Sequence, residues 1–213
     1  MGGSNSNSKT LRLIVFQIRI HGRGGQGVVT AAELLSVAAF LDGKHSQAFP
    51  SFGSERTGAP VVSFCRISTE KIRLREPIQE PDVILIQDPT LLHSVDVFAG
   101  AKHDGVLLIN TKKTFSELGI EEFVKGKEPK KNLIVPASDI AMKFIGRPLP
   151  NAALLGGLSA ATGIVRIESV LNAIEERFPA KIAKANQEAA TSSYEFVKNE
   201  LEELIGNSHV KTN

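Results

Sequence analysis

The chain has 213 residues, of which 42% are hydrophobic and 23% are charged, and its formal net charge is +2 at neutral pH. This length and composition are typical of a globular protein with one large domain. The small charge and the scarcity of aromatic residues argue against nucleic acid or a membrane surface as a partner. The single cysteine excludes an internal disulfide, a multi-cysteine zinc site and an iron–sulfur cluster held by this chain alone.

The two ends of the chain differ in composition from the part between them. Residues 1–10, MGGSNSNSKT, are small and polar and predict a disordered leader rather than a signal peptide. We expect a single domain over residues 11–206 and a flexible tail over residues 207–213. No run approaches the roughly 18 apolar residues of a membrane span. Together with the cysteine usage, this predicts a cytoplasmic protein without a membrane span.

The first predicted elements surround a glycine-rich loop. The alternating run Leu13–Ile20 predicts a strand with Phe16, Ile18 and Ile20 on one face. Small and apolar residues from Val28 to Leu41 predict a helix that ends at Asp42-Gly43. The segment HSQAF that follows predicts a short second strand.

The middle of the chain alternates between strand and helix patterns. Two alternating runs flank Thr69-Glu70 and predict a hairpin, Val61–Ser68 with Lys71–Arg75. Continuous apolar runs predict buried parallel strands at Asp82–Asp88, Gly105–Asn110 and Asn132–Ala137. Helices are predicted between them, at Thr90–Ala101 and Phe115–Lys125. The expected fold is a three-layer α/β/α, Rossmann-like fold with a mixed sheet and a helical C-terminal part.

The C-terminal part carries only helical patterns. The first predicted helix, Ser138–Gly146, has Ser138 as its N-cap. The second, Asn151–Val165, is rich in alanine and glycine, and we expect Gly156-Gly157 to allow close approach to another subunit. Two further helices are predicted at Ile167–Phe178 and Ala180–Ile205.

The loop after the first strand matches the pattern G-x-G-x-x-G. A dinucleotide site also needs an acidic residue after the second strand, and the segment QAFPSFG supplies none there. A phosphate-binding P-loop is excluded because no Lys-Ser/Thr pair closes the loop. A tight structural turn, a phosphate site and a subunit contact remain open, and Glu55 and Arg56 are equally compatible with an ordinary surface ion pair. The candidate phosphate, coenzyme A or subunit contacts are Gly22, Arg23, Gly24, Gly25, Gln26, Gly27, Phe52, Glu55 and Arg56.

Two stretches, GRGGQGVVTAAELL and QAFPSFGSERTGAPVVSFCRIS, resemble the gamma subunit of 2-oxoacid:ferredoxin oxidoreductases, above all the pyruvate synthase group. The resemblance continues through PDVILIQDPTLL, GVLLINT, IVPASDIA and PNAALLGGLSAATGIV. It implies a component of a multi-subunit enzyme that converts a 2-oxoacid, pyruvate first among the choices, to an acyl-CoA and reduces ferredoxin. It also implies alpha, beta and delta-type partner subunits, which would hold thiamine diphosphate, magnesium and iron–sulfur clusters, with coenzyme A as co-substrate.

What the chain lacks agrees with a non-catalytic role that is inactive alone. There is no GDG followed by paired asparagines, which is the usual diphosphate–magnesium pattern of thiamine enzymes, and the five histidines have no ligand-like spacing. Two alternatives remain, a stand-alone α/β nucleotide- or phosphate-binding module and an NAD(P)-dependent dehydrogenase. The 2-oxoacid and the electron acceptor are left open.

Overall fold

The computed structural model describes residues 15–51 and 56–210, so the predicted leader lies outside the described residues. One six-stranded sheet has the order β2-β3-β1-β4-β5-β6. Strands β1, β4, β5 and β6 are parallel, and β3 is antiparallel to both of its neighbours. The sheet is therefore mixed, as predicted. The strands are β1 Phe16–Arg23, β2 His45–Pro50, β3 Pro60–Ser68, β4 Val83–Ile86, β5 Val106–Asn110 and β6 Asn132–Val135.

Most helices cover one face of the sheet. The main core there combines Ile18, Leu85 and Leu108 from the strands with Leu35 and Leu154 from the helices, and all five are fully buried. Among the described residues no helix has the length and apolarity needed to cross a membrane. The helices are α1 Val28–Leu41, α2 Glu121–Val124, α3 Ala137–Ile145, α4 Asn151–Thr162, α5 Ile167–Arg177 and α6 Ala180–Val210. Helix α6 thus extends four residues into the segment expected to be a tail.

The opposite face is covered by short segments, and the long helices predicted there are wrong. A 3-10 turn, Pro89–His93, replaces the helix expected at 90–101, and only the single turn of α2 forms within 115–125. In the second segment Thr114 and Glu117 exchange hydrogen bonds as a capping box does, but Gly119 follows at φ +70° and ends the turn. These short segments bury apolar side chains against β4 and β5, which completes the third layer.

The predicted hairpin between 61–68 and 71–75 is also wrong. Strand β3 forms, but it pairs with β1 on one side and with β2 on the other, so both of its edges are occupied. Lys71–Arg75 runs outside the sheet without a turn or a bend. Side chains of the sheet fix it there: Gln47 donates to the carbonyl of Ile72, and Arg66 donates to that of Glu76.

Two expectations for the C-terminal helices need correction. Helix α3 begins at Ala137 and has Pro136 at its N-cap. Ser138 instead pairs with Asn110, whose Oδ1 accepts from the Ser138 amide at 2.9 Å and whose Nδ2 donates to the hydroxyl at 2.8 Å. The glycines of α4 serve packing inside the chain rather than between subunits, because a Cβ on Gly156 would lie 1.9 Å from the Ala190 carbonyl oxygen on α6.

Asp42 connects the end of α1 to the start of α5. Its carboxylate accepts the backbone amide and the Nε of Arg166, both at 2.8 Å, and the hydroxyl of Ser169 at 2.5 Å. Burial of the side chain, which is 4% exposed, opposes ionisation. The hydrogen bonds from Ser169 and Arg166 outweigh burial and hold the pKa of the carboxyl below its ordinary value.

Candidate functional site

The glycine loop lies where the chain changes direction across the sheet. After β1 the chain crosses the helical face as α1 towards β2, whereas after β4 it crosses the opposite face towards β5. The crevice at the carboxyl ends of β1 and β4 is therefore the switch point of this sheet, where ligands bind in open α/β folds. The loop follows β1, and Asp88 follows β4.

Polar side chains of the loop are engaged within the chain. The Gln26 amide accepts from the Arg23 backbone N–H at 2.8 Å and donates to Asp88 Oδ2 at 2.8 Å. The Arg23 guanidinium lies 3.2 Å from the same carboxylate oxygen and donates to Thr90 Oγ1 at 2.8 Å and to the Gly58 carbonyl at 3.0 Å. Arg23 and Gln26 thus position the loop against the end of β4.

Asp88 is the common acceptor in this network. Its side chain is 12% exposed, and burial alone would raise the pKa of the carboxyl. Hydrogen bonds from Thr90 and Gln26, together with the charge of Arg23, more than compensate and keep that pKa below its ordinary value. The carboxylate is therefore ionised at neutral pH and orders the loop. Sequence reasoning missed this residue as part of the site, although Asp-Pro-Thr after a buried strand is typical of a helix start and could have indicated it.

The four glycines of the loop have different surroundings. A Cβ would lie 2.6 Å from Val28 Cγ2 at Gly22 and 2.3 Å from the Arg56 carbonyl oxygen at Gly24. At Gly27 it would lie 2.6 Å from Asn151 Nδ2. Gly25, at φ +92°, has only a methyl group of Thr57 at 3.9 Å. Three of the glycines therefore serve close packing, and Gly25 leaves its backbone open.

The segment around Arg56, which was the second predicted motif, contacts the glycine-rich loop. Gly24 forms a parallel bridge with Thr57, its N–H donates to Ala59 at 2.9 Å, and its carbonyl accepts from Gly58 at 3.0 Å. The Arg56 side chain is exposed beside this bridge. Phe52 and Glu55 lie outside the described residues, so the predicted pair of Glu55 with Arg56 stays a prediction.

The N-terminus of α1 is open in the crevice. Gly27 at the N-cap offers no side-chain acceptor, and the first turn contains no acidic residue. The amides of Val28, Val29 and Thr30 have no acceptor one turn earlier within the helix, as at any helix start. A cleft of about 330 Å³ lies beside this turn and the loop, lined on its other side by Val61. This arrangement of donors and helix dipole favours an anion.

A second cleft, of about 510 Å³, separates the same turn from the C-terminal helices. Arg147 is exposed there and forms no ion pair with a described residue. Asn151 and Asn186 supply amides, and the apolar lining comes from Ile145, Leu149, Phe178 and Ile182. Sequence reasoning missed these residues because they are spread over α3, α4, α6 and the loops between the C-terminal helices, without a local motif.

The topology also explains why the ribose carboxylate of a dinucleotide site is missing here, although the loop after β1 matches G-x-G-x-x-G. In a dinucleotide-binding fold the ribose carboxylate ends the parallel strand beside the first. Here the neighbour on that side is the antiparallel β3, which presents its first residues, Pro60 and Val61, at this edge. Within residues 15–51 and 56–210, no group of three or more His, Cys, Asp or Glu side chains is placed to hold a metal ion.

Comparison with known proteins identifies the relatives. The family model for pyruvate ferredoxin/flavodoxin oxidoreductase matches residues 17–196. The pyruvate/ketoisovalerate oxidoreductases common subunit gamma of Pyrococcus furiosus is 48% identical over 190 residues, which are 89% of this chain and all of that protein. The crystal structure of pyruvate oxidoreductase subunit PORC from Thermotoga maritima is 39% identical with a TM-score of 0.70, covering 85% of this chain and 96% of its own.

A third relative shares the fold at greater distance. It is the 2-oxoglutarate:ferredoxin oxidoreductase from Magnetococcus marinus, solved with 2-oxoglutarate, coenzyme A and succinyl-CoA bound. The two chains are 19% identical with a TM-score of 0.66, over 88% of this chain and 31% of that one. With the family model and the closer gamma subunits, the comparisons show that this chain belongs to the pyruvate ferredoxin/flavodoxin oxidoreductase family, as a gamma-type subunit of a 2-oxoacid:ferredoxin oxidoreductase.

Proposed function

We propose that the open first turn of α1 and the adjoining glycine loop bind a phosphate group of coenzyme A in the assembled enzyme, whose 2-oxoacid is pyruvate. The open helix start between two clefts carries this proposal. Pyruvate is favoured by the names of the Pyrococcus and Thermotoga relatives. Coenzyme A is favoured by its presence in the Magnetococcus enzyme of the same fold.

The geometry suits a ligand with a charged end and a less polar arm. The amides of Val28, Val29 and Thr30 would donate to phosphate oxygens without the cost of removing a capping side chain. Arg147 adds a cation at the rim of the larger cleft. The apolar side chains of Phe178 and Ile182 would contact the arm.

The redox chemistry would belong to alpha, beta and delta-type partner subunits in the cytoplasm. Thiamine diphosphate with magnesium and the iron–sulfur clusters would be held there, and electrons would leave to ferredoxin. A cluster needs about four thiolates, whereas this chain has one cysteine, Cys65, and burial raises the pKa of its thiol. The gamma chain would contribute to coenzyme A binding and to assembly.

The test places a carboxylate in the first turn of α1. Thr30 lines both clefts, so Thr30→Asp would occupy the helix amides and repel phosphate, while Thr30→Asn keeps the size without the charge. In the reconstituted enzyme we expect Thr30→Asp to raise KM for coenzyme A at least tenfold. KM for pyruvate should not change, and Thr30→Asn should stay within about threefold of the wild type, since one charge contact is worth about 1.5–3 kcal/mol.

Two results would contradict the proposal. One is an unchanged KM for coenzyme A in Thr30→Asp when assembly is normal. The other is that Thr30→Asp fails to assemble whereas Thr30→Asn assembles normally. That result would show that the start of α1 is a subunit contact. Thermal unfolding of each isolated variant serves as the folding control.

A further inference from the structure

Lys71–Arg75 has the sequence pattern of a strand but pairs with none of the described strands. The alternation of basic and apolar residues predicts a half-buried strand, and the segment runs without a turn or a bend. None of the amides from Lys71 to Leu74 donates to a described residue, and the carbonyl of Ile72 accepts only a side chain, at 3.4 Å. The segment is therefore a free hydrogen-bonding edge on the described surface.

A groove runs along this edge. It encloses about 600 Å³ between Val15, directly before β1, and residues 70–74. Its apolar lining comes from Val15, Ile72 and Leu74, and Leu74 is 38% exposed, which is high for a large aliphatic residue. An unpaired backbone beside exposed apolar side chains is the surface that strand addition uses.

The positive charge of Lys71–Arg75 indicates which kind of segment can bind along it. Lys71, Arg73 and Arg75 alternate with the apolar residues, and none forms an ion pair with a described residue. Glu70 and Glu76 flank the segment, and the Glu76 carboxylate accepts from the Arg75 amide at 3.3 Å. A partner segment lying along Lys71–Arg75 therefore meets three cations between the two flanking carboxylates, and acidic residues opposite the cations complement them.

Two other occupants fit the charge poorly. Residues 1–14 of this chain contain Lys9 and Arg12 and no acidic residue, so placing them along the edge would bring like charges together. A second copy paired through the same edge about a twofold axis would face Arg73 with its own equivalent. An acidic segment from a different subunit avoids both conflicts.

We propose that an acidic, extended segment of a partner subunit docks along Lys71–Leu74, pairs with its free backbone and places apolar side chains in the groove lined by Val15, Ile72 and Leu74. This inference rests on the proposed assembly with partner subunits but not on the proposed coenzyme A contact. Its failure would leave the Thr30 experiment unaffected.

Hydrogen exchange of the isolated chain and of the assembled enzyme tests the pairing. We expect the amides of residues 71–74 to exchange rapidly in the isolated chain and at least tenfold more slowly in the complex. Unchanged exchange on assembly would overturn the proposal. So would protection already present in the isolated full chain and lost on deletion of residues 1–14, because the N-terminal segment would then be the occupant.

Charge reversal at Arg73 tests whether the partner segment is acidic. Arg73→Glu should raise the dissociation constant for the remaining subunits at least tenfold and weaken its dependence on salt concentration. Lys198→Glu makes the same charge change on an exposed position of α6 and should stay within about twofold of the wild type. Equal effects of the two variants, with unchanged unfolding of each isolated chain, would show that only net charge matters and would refute a specific acidic partner.

Discussion

The loop edge of the sheet and the helical layer behind it both use glycine, for opposite purposes. At the loop edge, Gly25 is exposed, and a Cβ there would meet only a Thr57 methyl group, at 3.9 Å, beside the cleft at the start of α1. In the helical layer, Gly156 has the Ala190 backbone directly against it, so α4 and α6 touch along their main chains. Absence of a side chain thus leaves backbone exposed in one region and allows two helices to pack closely in the other. Substitutions should therefore separate the two regions by what they impair.

The largest effect is expected in the helical layer. Gly156→Ala places its Cβ where the Ala190 carbonyl oxygen lies, and backbone cannot move aside as a flexible side chain can. We expect a loss of about 3 kcal/mol or more in the free energy of unfolding, measured by urea denaturation of the isolated chain.

Its neighbour Gly157 is the matched control. A Cβ there would meet the side chains of Ser193 and Val197 at 3.2 and 3.3 Å. Crowding should be offset by the gain in helix propensity, of about 1 kcal/mol, so Gly157→Ala should remain within about 1 kcal/mol of the wild type. Similar losses for both variants would show that close α4–α6 contact at Gly156 is not what stabilises the layer.

An intermediate effect is expected for Asp42. Asp42→Ala leaves the Arg166 amide and the Ser169 hydroxyl without their acceptor. We therefore expect the free energy of unfolding to fall by about 2–3 kcal/mol. Because the pKa of this carboxyl is lowered in the folded chain, its contribution is present above the ordinary pKa of 3.8 and is lost as pH falls through the lower folded value.

The control for Asp42 is an exposed ion pair. Asp139 lies 2.7 Å from Lys112, but their side chains are 55% and 67% exposed, so Asp139→Ala should cost at most about 1 kcal/mol. Urea denaturation at pH 7 compares the two variants directly. An equal cost would mean that burial of Asp42 between α1 and α5 adds nothing.

The smallest effect on stability is expected at the loop edge. The Arg56 side chain is exposed and forms no ion pair with a described residue, so Arg56→Ala should change the free energy of unfolding by less than about 0.5 kcal/mol. If it contacts coenzyme A or a partner, ferredoxin reduction by the reconstituted enzyme should nevertheless fall at least tenfold. Full activity with an unchanged KM for coenzyme A would show that Arg56 contacts neither coenzyme A nor a partner subunit.

Local sequence patterns were sufficient to predict the elements that bury one regular face or both faces. Local apolar periodicity indicates whether an element buries one face or both. It predicted the strand–loop–helix unit from β1 to α1, the parallel strands β4 to β6 and helices α4 to α6. Asn110 and Gln47, by contrast, carry no local signal for their partners. The family resemblance rested on several blocks of sequence at once, and the family model over residues 17–196 confirms it.

How these elements combine depends on contacts between residues that are distant in sequence. Lys71–Arg75 has a strand pattern but pairs with no described strand, because β1 and β2 occupy both edges of β3, and no local pattern encodes which edge is free. The second cleft joins Thr30 to Arg147 and Asn186, which are far apart in sequence. Periodicity records whether a residue is buried, whereas a site depends on which distant residues bury it, and that is settled by packing across the whole sheet.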